Sequence, residues 1–208
     1  MTGDDVLDVV EEETTEDFQK TAAVEPLKMG YRESGIWALY SKRIVWLCVF
    51  LGINLLTAGI IAAYEEVLRT AITLAIFIPL LGACGGNTGA QASTLIVRAL
   101  AVGDLRLHHW LSNIGRELLI GFSLGLTMGT AGWVLGYFTG GREIAAVIFS
   151  AMLCIVLVSN IIGSLVPFIL LKLRFDPAVA SSPLISSLAD VAGLFIYFSI
   201  ATAILNIV

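Results

Sequence analysis

IAAVIFSAMLCIVLVSNIIGSLVPFILL, residues 144–171, runs for 28 residues without one charge. A helix needs about 20 predominantly apolar residues to cross a bilayer, so this stretch reads as a membrane span. Outward from it, the uncharged runs 44–64, 70–97 and 118–141 hold 21, 28 and 24 residues, and 177–208 is interrupted only by Asp190. Five spanning helices are expected near 43–64, 70–99, 112–138, 144–172 and 182–207, an all-α integral membrane bundle in which the longer helices tilt or project from the bilayer. The composition agrees. Of the 208 residues, 57% are hydrophobic and 14% charged, where a soluble domain carries roughly 25% charged residues.

The basic residues give the expected direction. Lys42 and Arg43 precede the first span, Arg98, Arg106 and Arg116 lie between the second and third, and Lys172 and Arg174 lie between the fourth and fifth. Together with Lys20, Lys28 and Arg32 these place ten of the twelve Lys and Arg on one side, leaving Arg69 and Arg142 on the other. Positive charge marks the cytoplasmic side. The N-terminus is therefore expected in the cytoplasm and the C-terminus outside, in a multi-pass protein of the cell membrane.

The net charge of −5 comes from the tail: residues 1–33 carry ten acids and three bases, residues 34–208 seven acids and nine bases. Residues 1–30 are read as an acidic cytoplasmic tail, disordered over 1–25 because acids are many and apolar periodicity is absent. Residues 31–208 form the membrane body. Tyr31, Trp37 and Tyr40 with Lys42 and Arg43 suggest an interfacial approach to the first span. No basic patch points to nucleic acid, and no basic leader followed by an apolar core indicates a cleaved signal. Cys48, Cys84 and Cys154 are far apart in apolar runs and read as packing residues. His108 and His109 lack a nearby third ligand and read as loop residues.

Polar groups at membrane depth are costly and usually face the bundle interior or a water path. Asp190 is the one acid deep inside a span. With Ser182 as N-cap and Pro183 at the helix start, Asp190 falls about 10 Å along its helix. Ser186, Ser187, Asp190, Gly193 and Tyr197 follow helical spacing as one small, polar stripe, opposite Leu184, Leu188, Val191 and Phe195. That stripe is expected to hold a cation or a proton. In the second span, Pro79 and the glycines through Gly89 predict a broken helix, tolerated where backbone lines a cavity. Beyond the break, Asn87, Gln91, Thr94 and Arg98 share one face running toward the cytoplasm, read as pore-lining. In the third span, Gly121, Gly125 and Gly129, then Gly132 and Gly136, form a ridge that favours close helix packing. Arg116 and Glu117 at its inner end read as a local contact. Asn160 and Pro167 are equally compatible with packing and function.

FIPLLGACGGNTGAQASTLIVRALAVGDL (77–105) closely resembles the second-helix signature of the MgtE family of magnesium channels, and FDPAVASSPLISSLADVAGLFIYFSIA (175–201) resembles the last helix of the same family. The approach YRESGIWALY (31–40) and the span pattern are similar too, so the resemblance covers about residues 30–208. It implies a homodimer with a magnesium path near the two-fold axis, lined by the second and fifth helices. It implies that Asp190 is the pore aspartate, that Asn87 is the asparagine of the GGN motif, and that Ser186 supplies the small position four residues earlier. Family members often carry Asn before the helix-start proline, near the cytoplasmic gate; this chain has Ser182. Members commonly also carry an N-terminal helical domain and paired CBS domains that sense magnesium. About 30 residues are too few for either, so regulation is expected to come from a separate partner protein or to be lacking.

Magnesium sheds its inner waters reluctantly and is usually held by one or two carboxylates plus waters. A two-fold axis would bring two copies of Asp190 together and neutralise one Mg2+. Asn87, Ser186, Ser187 and carbonyls near Gly85 and Gly86 would then accept hydrogen bonds from its waters, with Gln91, Thr94, Ser182 and Gly193 along the path. Hydrated Mn2+ and Co2+ are close mimics. Membrane lipid is the surrounding partner. The rival readings are a sodium-coupled Mg2+ exchanger and a non-transporting membrane scaffold. No intramembrane enzyme is expected, because one deep acid and no deep histidine assemble no catalytic set.

Overall fold

A computed structural model describes residues 3–27 and 31–206, and every described segment of regular structure is helical. The helices are α1 (Gly3–Thr21), α2 (Ile36–Ala63), α3 (Glu65–Thr70), α4 (Ile78–Ala101), α5 (Trp110–Lys172) and α6 (Ser182–Leu205). Short 3₁₀ turns occupy Ile72–Phe77, Leu107–His109 and Pro177–Val179. Four segments among the described residues are long and apolar enough to cross a membrane: Ile36–Ala63, Ile72–Ala101, Trp110–Lys172 and Ser182–Leu205.

The third of these merges two of the expected spans. At about 1.5 Å per residue, a straight α5 would exceed three times the hydrocarbon thickness. It is not straight. Gly141 leaves helical geometry at φ 81°, ψ −167°, a left-handed-side backbone conformation that glycine adopts without a Cβ penalty. The chain reverses there and the two arms pack against each other. A Cβ at Gly136 would lie 2.9 Å from Ala145 Cα, at Gly132 2.9 Å from Ile148 Cγ2, and at Gly125 2.8 Å from the Leu153 carbonyl oxygen. Gly121 meets Leu157 and Asn160 in the same descending order. The glycine ridge is thus a packing seam, in which missing side chains let two backbones approach. Asn160 closes the end of the seam away from Gly141: its buried amide donates to the Glu117 backbone carbonyl at 2.9 Å and to Glu117 Oε2 at 2.8 Å. Pro167 is buried within the second arm.

The expected break across Pro79–Gly89 is not there. Pro79 lies in the first turn of α4, where its missing N–H is not needed, and the helix then runs unbroken through all the glycines. The irregular backbone falls earlier, at Ala71 and the 3₁₀ turn Ile72–Phe77. Such turns leave carbonyls that must be satisfied away from water. Tyr197 on α6 does this, donating its buried hydroxyl to the Leu74 carbonyl at 2.8 Å. Tyr197, Phe198, Leu74 and Leu81 join Ile148, Met152 and Ile155 of the second α5 arm in the core. The outer loop read at 65–69 is the short helix α3, with Glu65 and Arg69 paired across one turn at 2.8 Å.

Helix α2 begins at Ile36, earlier than the expected 43, so Trp37, Tyr40, Lys42 and Arg43 of the aromatic approach are part of the helix, while Tyr31 lies in the turn before it. None of its residues is buried; it leans on α6 through Tyr64, which stacks on Phe198 with ring centroids 5.2 Å apart.

The tail departs most from expectation. Residues 3–21, read as disordered, form α1. Lys20 in its last turn suits the helix dipole. Docking adds the rest. Lys20 Nζ contacts Asp176 Oδ2 at 2.6 Å, in the turn just before α6. Gln19 Oε1 accepts from the Leu27 N–H at 2.8 Å, and Lys42 pairs with Glu25 at 2.9 Å. A composition rule sees only acids failing to bury apolar surface; it does not see a lysine finding a carboxylate 156 residues away.

Candidate functional site: an acid beside a glycine ladder

Helices α4 and α6 run antiparallel and touch through small residues. Position by position, Gly82 faces Asp190, Gly86 faces Ser186 and Gly89 faces Ile185. At the next step the buried Ser93 hydroxyl donates to the Ala180 carbonyl at 3.0 Å. The pairing follows from two matched i, i+4 repeats, Gly82–Gly86 and Ser186–Asp190, which put each set on one face of its helix. A Cβ at Gly82 would lie 3.2 Å from Asp190 Oδ1, and one at Gly86 would lie 3.2 Å from both Cβ and Oγ of Ser186. The carboxyl group therefore rests in space that any side chain at position 82 would contest. Ser186 Oγ donates to the Gly86 carbonyl over a long 3.4 Å.

On the other side of α4, Gly85 meets Ile155 and Ser159 of α5, while Gly89 and Gly163 bring the α4 and α5 backbones together. These glycines let α4 sink between its neighbours. The exposed side of α4 then carries Asn87, Gln91 and Thr94. With Ser182 and Ser186 of α6 they line an open groove of about 630 Å³. Asp190 is half-buried one turn beyond Ser186, about 12 Å along α6 from its first residue. Among the described residues it has no ion pair and no hydrogen-bond partner. The groove thus presents hydroxyl and amide groups within one helical turn of a carboxylate that lies outside its lining, groups able to accept hydrogen bonds from a hydrated cation's waters.

The expected site divides accordingly. Asp190, Asn87, Ser186, Gln91, Thr94 and Ser182 come together on or beside the groove. Gly85 and Gly86 are buried at helix contacts instead of offering open carbonyls, because the helix is unbroken there. Gly193 faces Ile155, and Tyr197 is in the core, so the stripe on α6 ends at Asp190. Ser187 is buried and gives its hydroxyl to the Pro183 carbonyl at 2.9 Å. The N-cap of α6 is Ser181, whose Oγ accepts from the Leu184 N–H at 3.4 Å; Ser182 is the first helical residue. Gly82 was missed, although its four-residue spacing from Gly86 matches that of Ser186 and Asp190.

Asp176 lies outside the spans, at the end of the site where α6 begins. Burial tends to raise its pKa, but the Lys20 hydrogen bond, the Ala178 N–H and the Lys20 charge together hold it below the usual 3.8. The same carboxylate caps the turn, accepting from Ala178 N–H at 2.9 Å.

The model of the family MgtE, described as a divalent cation transporter, matches residues 78–200. The stretch includes all of α4 and α6 as far as Ile200. "Magnesium transporter MgtE" of Thermus thermophilus is 40% identical over 208 residues, covering all of this chain and 46% of that protein. The protein of the same name from Enterococcus faecalis is 38% identical, covering 97% of this chain and 44% of its own length. That from Bacillus subtilis is 32% identical, covering 99% and 46%. This chain thus spans a little under half the length of these relatives.

Proposed function

Because this chain belongs to the MgtE family of divalent cation transporters, we propose that it is a magnesium channel whose path runs along the α4–α6 groove to Asp190. It is a multi-pass protein of the cell membrane. In this reading the two arms of α5 cross separately, giving five crossings, with the basic ends and the N-terminus in the cytoplasm and the C-terminus outside. Two copies pair about a two-fold axis so that both Asp190 carboxylates face one path. The pair balances the charge of one Mg2+, and Asn87, Ser186 and Ser182 accept hydrogen bonds from the ion's retained waters. Hydrated Mn2+ and Co2+ would pass by the same contacts. The chain carries no chemistry of its own and is not an enzyme.

The observation that carries this reading is the half-buried Asp190 carboxyl, without a protein partner among the described residues, seated against Gly82 one helical turn from the groove that Asn87, Gln91, Thr94, Ser182 and Ser186 line. The test is a vesicle experiment with the purified protein, an imposed membrane potential and no sodium on either side. Magnesium should enter and follow the potential. Entry that requires a sodium gradient would replace the channel by an exchanger, and metal binding without entry would leave a scaffold.

A further inference from the structure

At the base of the α5 hairpin, remote in sequence from the groove residues, a cleft of about 670 Å³ opens between the two arms. Its walls are apolar: Trp110 from the start of the first arm, and Leu165, Phe168 and Ile169 from the end of the second. Its mouth is lined by His108 and Lys172. Lys172 is exposed, ends the uncharged run 144–171, and forms no ion pair among the described residues. Leu165 lies seven residues before it, about 10 Å deeper along the helix. With the two arms of α5 crossing the membrane as proposed above, the cleft runs from the membrane–water boundary into the hydrocarbon, with a cation at the wet end and apolar walls at the dry end. Tryptophan and lysine at such a level are typical of helix ends at the interface.

The geometry points to a binding site for one anionic phospholipid, its phosphate at Lys172 and its upper acyl chain between Trp110 and Phe168. Charge complementarity selects the occupant. The cleft opens on the side where Arg98, Arg106, Lys172 and Arg174 collect, and basic pockets between helices on the cytoplasmic side suit acidic headgroups. A soluble anion would use the lysine but not the apolar walls; a zwitterionic lipid would use the walls but gain little from the lysine.

Native mass spectrometry of the full chain in detergent tests this, with phosphatidylglycerol and phosphatidylcholine of matched chains supplied at equal concentration. The wild type should retain the anionic lipid about fivefold better, the preference one lysine near a headgroup provides. Lys172→Gln should bring the ratio close to one, and Arg142→Gln, an exposed cation beside the Gly141 reversal at the far end of the hairpin, should leave it unchanged. Leu165→Trp, which fills the cleft, should lower retention of both lipids. Glycerol phosphate should fail to displace the bound lipid. Equal retention of the two lipids, a preference that survives Lys172→Gln, displacement by glycerol phosphate, or no retained lipid at all would each overturn the proposal. None of these readouts depends on magnesium movement, so the site and the transport reading stand or fall separately.

Discussion

Asp190 and Gly82 act as one unit. A carboxylate at membrane depth is expensive, and here it has neither a basic partner nor a hydrogen bond among the described residues. The glycine opposite provides its space. Gly82→Ala would place a methyl carbon 3.2 Å from Asp190 Oδ1, tighter than ordinary contact, so the carboxyl must give by a few tenths of an ångström. The expected outcome is a several-fold lower rate of magnesium uptake, with the protein's elution profile unchanged. An unchanged rate would show that the position of this carboxyl is not critical. Ser186→Ala should cost little stability, under about 1 kcal/mol, since its bond to Gly86 is long at 3.4 Å; thermal unfolding in detergent measures that. Asp190 and Asn87 were legible from sequence because deep acids and amides are rare enough to stand out. Gly82 was not, because its importance exists only once α6 lies against it.

At the scale of the elements, glycine does two different jobs. In α5 it makes a seam and one reversal; in α4 it lets an intact helix sink between two others. The seam could be read from a four-residue repeat alone. The α4 glycines could not, because the same residues suit a broken helix and a closely packed one, and only the neighbours decide. Gly163 makes the distinction testable: a Cβ there would meet the Gly89 carbonyl oxygen at 2.0 Å, backbone against backbone. Gly163→Ala should destabilise the fold by about 1–3 kcal/mol, the range for overpacking, read as a lower midpoint in thermal unfolding. A neutral result would mean that α4 and α5 do not approach so closely. The 3₁₀ turn before α4 was equally hidden, since ITLAIF (72–77) is apolar enough to continue a helix and shows its irregularity only through the Tyr197 bond to Leu74.

Across the whole molecule, the N-terminal helix is joined to the turn before α6 by the Lys20–Asp176 pair. Both groups are partly exposed, so the pair contributes no more than about 1 kcal/mol, and salt should weaken it. The sign of its pH dependence follows from Asp176. Its folded pKa lies below the usual 3.8, so its contribution is fully present above that value and fades as pH falls through the lower folded one. Docking of α1, read by a spin-label distance between α1 and the 176 turn, should hold from pH 7 to about 5 and loosen below the ordinary aspartate range. Loosening already near neutrality would assign the contact to other groups. Asp176→Asn should loosen it at every pH.

In the proposed channel, Asp190 serves the moving ion. Magnesium uptake into vesicles, reported by an internal dye at matched protein density, compares wild type with Asp190→Asn most directly. The amide keeps the shape and removes the charge. A near-complete loss of uptake in a variant that elutes and melts like the wild type is the predicted result; uptake at the wild-type rate would contradict the account.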